Sequence, residues 1–140
     1  FSPDGRTFYH ADTPTHAIHA YDVDAAAGTL GNGRIFHQFE FGNGRPDGAA
    51  VDAEGCYWSA LWDGWRIVRF SPAGELIQTV ELPVQRPTML AFGGPDLQTA
   101  FVTSAGKNLT DAERAKQPNA GGIFTFRVDV PGLIQQDFGA

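Results

Sequence analysis

Apolar and polar residues alternate by twos over short stretches, and each stretch is cut off by a cluster of Gly, Pro, Asp or Ser. That period belongs to β-strands with one face turned inward, and the punctuation belongs to tight turns. The middle of the chain shows the grammar best. Val51 closes an inner strand, Ala53-Glu54-Gly55 turns the chain, and Tyr57 to Leu61 forms the next strand. Asp63-Gly64 predicts a hairpin turn into a strand from Arg66 to Phe70, since Asp-Gly favours the positive φ of tight hairpins. Pro72-Ala73-Gly74 then turns into an outer strand from Leu76 to Leu82, completing a four-strand antiparallel meander. The segment before it repeats the pattern, with Phe1 at the end of a first strand, Thr13-Pro14-Thr15 as the middle turn, Asp24 to Gly28 as the third, and Arg34 to Phe39 as the outer strand. The segment after it replaces the middle turn with an insertion from Ala105 to Gly122. Inside that insertion Thr110-Asp111-Ala112-Glu113 is a capping-box pattern, predicting a short helix that ends near Gln117-Pro118, the one helix expected in the chain.

Self-similarity at a period of roughly 40 to 50 residues, with about four strands in each unit, predicts an all-β fold of the β-propeller type. The repeats fall at about 1–41, 42–84 and 85–140. A closed ring usually needs at least four blades, so about three blades predict a partial propeller whose N-terminal blades lie in a longer polypeptide. A sheet array left open at both ends would otherwise invite pairing between chains.

Successive turns of a meander lie on alternate ends of its sheet, which sorts the loops onto two faces. Aligning Phe1, Val51 and Phe92 puts Asp47 and Thr88 at equivalent points, four residues earlier, where the chain enters an inner strand. Asp12 with Thr13, Trp62 with Asp63, and Ser104 belong to the same face, whereas Asp4, Asp24, Glu54, Glu75 and Asp96 fall on the other as solvated turn residues. Inner strands ring the channel of a propeller, so Asp47 is expected to line it from the bend Pro46-Asp47-Gly48. A carboxylate there suits a hard-cation ligand such as one for Ca²⁺, or a general base; equally, an Asp before Gly can simply cap its own turn. Thr88, Asp12, Trp62 and Ser104 are further candidates for substrate contact on this face, with the Trp62 ring able to stack on a flat ligand.

Composition narrows the partners. The formal net charge of -6 and the lack of any basic run argue against a nucleic-acid binder. Apolar stretches fall far short of the roughly 20 residues that cross a bilayer, and nothing marks secretion, so the expected compartment is the cytoplasm. The formal glycosylation sequon Asn108-Leu109-Thr110 therefore carries no weight. The one cysteine, Cys56, excludes an internal disulfide and reads as a packing residue. His10, His16, His19 and His37 share no recurring spacing, and no serine sits in a nucleophile elbow.

The run Gly44-Arg45-Pro46-Asp47-Gly48, Val51-Asp52-Ala53-Glu54-Gly55, Arg86-Pro87-Thr88, Phe92-Gly93-Gly94, Gln117-Pro118 and Ala120-Gly121-Gly122-Ile123-Phe124 resembles the C-terminal half of the gluconolactonase, senescence-marker-protein and regucalcin family. The resemblance covers essentially the whole chain. It implies a six-bladed propeller that holds one divalent cation, Ca²⁺ first and Zn²⁺, Mg²⁺, Mn²⁺ or Fe²⁺ as alternatives, and hydrolyses sugar lactones. Of the family's metal ligands only the Asp of Pro-Asp-Gly carries over, onto Asp47, as ligand, base or both; the Glu and Asn would lie upstream. Two other functions stay open on the same scaffold: hydrolysis of organophosphates or aryl esters, and calcium or ligand binding without turnover.

Overall fold

A computed structural model describes residues 1–134. Among these residues ten strands form three antiparallel meanders, and one short α-helix lies in a connection. The first sheet runs β1 (Thr7–Asp12), β2 (Ala17–Asp24), β3 (Thr29–Gln38), with a single 3-10 turn, Thr13–Thr15, between β1 and β2. The second runs β4 (Arg45–Val51), β5 (Tyr57–Trp62), β6 (Arg66–Phe70), β7 (Leu76–Glu81). The third runs β8 (Pro87–Gly93), β9 (Thr99–Ser104), β10 (Ile123–Arg127), and α1 (Asp111–Lys116) lies in the connection between β9 and β10. Among the described residues no helix is long and apolar enough to cross a membrane.

Four strands occur in the middle sheet alone; the flanking sheets have three each among the described residues. The turn after Phe1 is closed in the same way as the turn after Val51, where Asp52 N–H donates to the Cys56 carbonyl at 3.0 Å. Ser2 N–H donates to the Thr7 carbonyl at 2.9 Å, and Ser2 Oγ donates to Asp4 at 2.6 Å while accepting Thr7 N–H at 2.9 Å, so this segment is a closed turn. After β10 the chain crosses back toward the middle sheet: Ala53 N–H donates to the Pro131 carbonyl at 2.9 Å, and Asp52 forms an antiparallel bridge with Gly132. A side chain at Gly132 would collide with the Phe92 ring, which explains the glycine. The third repeat as read to 140 extends into 135–140, outside the described residues.

Two apolar seams hold the sheets together, and β5 serves both. Tyr57 and Leu61 join Ile18, Phe39, Val68 and Phe70 between the first two sheets. Trp58 and Ala60 join Ile67, Leu90, Ala100, Val102 and Val128 between the second and third. Because successive side chains of a strand point to opposite faces, a strand covered on both sides is mostly apolar; Tyr57 to Leu61 is buried at every position, and the Ser59 hydroxyl within it donates to the Ala60 carbonyl at 3.2 Å.

Local signals explain the turns. Thr110 Oγ1 accepts from Glu113 N–H and the Glu113 carboxylate accepts from Thr110 N–H, the reciprocal cap expected for α1. The connection between β5 and β6 differs from the expected two-residue hairpin. It holds three residues, and the left-handed conformations fall on Asp63 (φ 58°) and Trp65 (φ 59°), not on Gly64. Gly64 is needed for space instead, since a Cβ there would sit 2.5 Å from Leu61 Cβ.

Candidate functional site

Two inner strands begin in the same way. Arg45-Pro46 opens β4 and Arg86-Pro87 opens β8, and each proline is followed by a break in register. Pro46 pairs with Leu61 and Ala49 with Ser59, leaving Asp47 and Gly48 opposite Ala60; Pro87 pairs with Ser104 and Met89 with Thr103, leaving Thr88 over. A proline cannot donate to the ladder, and a bulge beside it re-aims the side chains that follow. Asp47 and Thr88 therefore occupy equivalent bulges of adjacent sheets, as their alignment in sequence anticipated.

The structure also brings these bulges together. A Cβ on Gly48 would lie 2.6 Å from the Thr88 carbonyl oxygen and 2.8 Å from Met89 Cα, so only a glycine lets the Pro46-Asp47-Gly48 bend approach the next sheet. On the other side Thr13 Oγ1 donates to the Pro46 carbonyl at 2.7 Å, fastening the turn after Asp12 to the same bend. Asp12, Asp47 and Thr88 thus belong to three neighbouring sheet ends.

Asp47 is half-buried. Its carboxyl is pushed above its ordinary pKa by burial, against the opposing pull of the Gly48 backbone N–H and the Arg45 charge. A desolvated carboxylate with one backbone donor is under-satisfied, and a cation beside it would relieve that cost. As a hard oxygen donor Asp47 fits a divalent metal of the calcium type. Among the described residues no three His, Cys, Asp or Glu side chains are grouped to hold such an ion.

The remaining candidates differ in availability. Thr88 Oγ1 shares a hydrogen bond with Thr103 Oγ1 at 2.8 Å, and that pair is exposed. Ser104 Oγ donates to the Gly122 carbonyl at 2.8 Å and accepts Gly121 N–H at 3.1 Å, so its hydroxyl fastens the ends of the insertion. Trp62 carries the Arg86 guanidinium 5.2 Å from its ring centroid, which covers one face that a sugar would need. Asp12 leads into the 3-10 turn without capping it by its side chain.

Sequence reasoning placed Asp63 on this face but gave it only a turn. Its Oδ2 accepts from Arg45 NH2 at 3.0 Å; its Oδ1 accepts from Arg86 Nε at 2.7 Å and from Gln85 Nε2 at 3.1 Å. One carboxylate joins the two arginines that precede the two bulges. The signal available in sequence was the matched pair Arg45-Pro46 and Arg86-Pro87.

Residues 1–106 match the family described as the SMP-30/Gluconolactonase/LRE-like region. The chain belongs to that family. It is 45% identical over 139 residues to a 6-deoxy-6-sulfogluconolactonase of Pseudomonas putida, covering 99% of this chain and 47% of the relative. It is 39% identical over 125 residues to regucalcin of Gallus gallus, covering 89% of this chain and 42% of that protein. Among solved structures it superposes on a calcium-binding regucalcin of Agrobacterium tumefaciens with a TM-score of 0.90 at 34% identity, over 96% of this chain and 46% of the other. The family includes named lactonases, and the chain spans somewhat less than half the length of these curated relatives. Its three sheets are consecutive parts of a β-propeller, left unclosed here.

Proposed function

We propose that this chain supplies the C-terminal blades, divided near residues 41 and 84, of a cytoplasmic propeller that hydrolyses aldonolactones of the gluconolactone type with a divalent cation, Ca²⁺ first. The observation that carries the reading is Asp47, a half-buried carboxylate with a single backbone donor in a β4 bulge that packs against the next sheet. The name of the Pseudomonas putida relative supports a sugar lactone as substrate, and that of the Agrobacterium tumefaciens structure supports calcium.

In this mechanism a bound cation supplies Lewis-acid polarisation of the lactone carbonyl. Asp47 would hold the cation through its carboxylate, and the same carboxylate would accept the proton of the attacking water. Thr88 in the adjacent bulge orients a sugar hydroxyl with the side of its Oγ1 not engaged by Thr103. The polar surroundings formed by Arg45, Asp63, Gln85 and Arg86 favour a hydroxylated lactone over an aryl ester or phosphotriester. The missing ligands come from blades outside these residues.

The test is hydrolysis of a panel of sugar lactones by the complete protein, with and without chelator, beside Asp47→Ala. Chelator-sensitive turnover reduced on the order of 10²-fold or more in the variant is the expected result. Calcium binding with no turnover on any lactone would instead favour the second reading, a calcium-binding propeller, for which the regucalcin likeness speaks.

A further inference from the structure

Both oxygens of Asp63 are committed. They accept three hydrogen bonds, from Arg45, Gln85 and Arg86, and two of these are ion pairs at 3.0 and 2.7 Å. Such a carboxylate is poorly placed to bind a cation or a substrate hydroxyl directly. Its partners matter more than its exposure: Arg45 lies two residues before Asp47, and Arg86 two residues before Thr88.

The clamp is itself held from every side. Asp63 sits in the left-handed region, and the backbone after it lies against Gly44, whose Cβ position would be 2.8 Å from Gly64 Cα. Arg66 donates to the Gly64 carbonyl at 3.1 Å and to the Asn43 carbonyl at 2.8 Å, tying the turn to the segment that leads into β4. Arg86 is only 14% exposed; it lies over Trp62 and also donates to the Lys107 carbonyl. Gln85 N–H donates to the buried Gln117 Oε1 at 2.8 Å, so the approach to β8 is anchored on the insertion as well.

We propose that Asp63 is a positioning residue of the lactone site, holding Arg45 and Arg86 so that the Asp47 and Thr88 bulges keep a fixed separation. This rests on the reading of Asp47 given above. Charge-assisted hydrogen bonds to two guanidinium groups fix direction as well as distance. Catalysis is sensitive to that register, because a misplacement of about 1 Å can cost on the order of 10²-fold in rate.

The experiment uses Asp63→Asn in the complete, calcium-loaded protein. The amide keeps the shape but presents an NH₂ group where one oxygen accepted from an arginine, so one of the two clamped strands is released. Asp47→Ala tests the underlying reading, and Asp96→Asn, in an exposed ion pair on the opposite face, serves as the control. Expected in Asp63→Asn are a kcat about tenfold or more below wild type per folded molecule, a smaller change in KM, and faster amide exchange at residues 47–49 and 88–89 with β5 and β6 unchanged. Unchanged exchange at both bulges overturns the proposal whatever the rate does. A kcat within twofold of wild type overturns it as well. If Asp47→Ala keeps full activity, the lactone-site reading fails separately, and the exchange measurement still decides whether Asp63 is the clamp.

Discussion

The Trp58 indole N–H donates to an Asp52 carboxylate oxygen at 2.8 Å, and neither side chain is reached by solvent. The same carboxylate accepts Glu54 N–H and Cys56 N–H, each at 3.0 Å, and pairs with Arg69, whose guanidinium lies 5.5 Å from the Trp58 ring centroid. A charge in this position persists because every lone pair is used. Removing it strands Arg69, the indole donor and two amides. Asp52→Ala is expected to cost about 3–5 kcal/mol of unfolding free energy, measured by denaturant titration. A loss under about 1 kcal/mol would mean the network is solvated in solution.

Gly44 combines a φ of 90° with a Cβ position 2.8 Å from the Gly64 backbone. Neither demand can be met by moving a flexible side chain. Gly44→Ala is expected to lower stability by about 1–3 kcal/mol, seen as a drop in Tm by calorimetry. An unchanged Tm would show that the two loops are farther apart than described.

Asp96 accepts from both Arg127 and the Gln98 amide, and these hold its pKa at about 2, below the ordinary 3.8. The folded form binds its proton less tightly than the unfolded chain, so the pair stabilises the fold above pH 3.8 and that contribution disappears as pH falls toward 2. Carboxyl chemical shifts should place the Asp96 midpoint near 2 at low salt, moving up as salt screens this exposed pair. A midpoint at 3.8 would show that the ion pair does not persist in water.

Cys56 is buried, and its thiol is pushed above the ordinary pKa by that burial and by the neighbouring Asp52 charge. A thiol kept protonated and covered is a poor nucleophile. Labelling by an aromatic disulfide reagent should therefore proceed at the rate of opening and become fast only in denaturant. Rapid stoichiometric labelling of the native protein would contradict the packing assigned to it.

Much of this arrangement was legible in the residues. The turns at Gly55 and Gly74 and the Thr110–Glu113 cap are local, and local physics forms them as read. The equivalence of Asp47 and Thr88 followed from strand periodicity, because a period of two carries position faithfully along a meander. Asp63 was read as a turn residue because its determining contacts are distant: it meets arginines 18 and 23 residues away. Periodicity fixes the face of the sheet on which Trp62 lies, but not that the Arg86 guanidinium stands over its ring.

Tyr57 and Trp58 are sequence neighbours that live in different cores. The strand carrying them acts as a septum: trimming Tyr57 disturbs packing toward the first sheet, trimming Trp58 disturbs packing toward the third, and each loss is confined by the backbone between them. A propeller assembled from such partitions can accept a repacked seam on one side while the opposite seam, and the bulge it supports, keeps its shape.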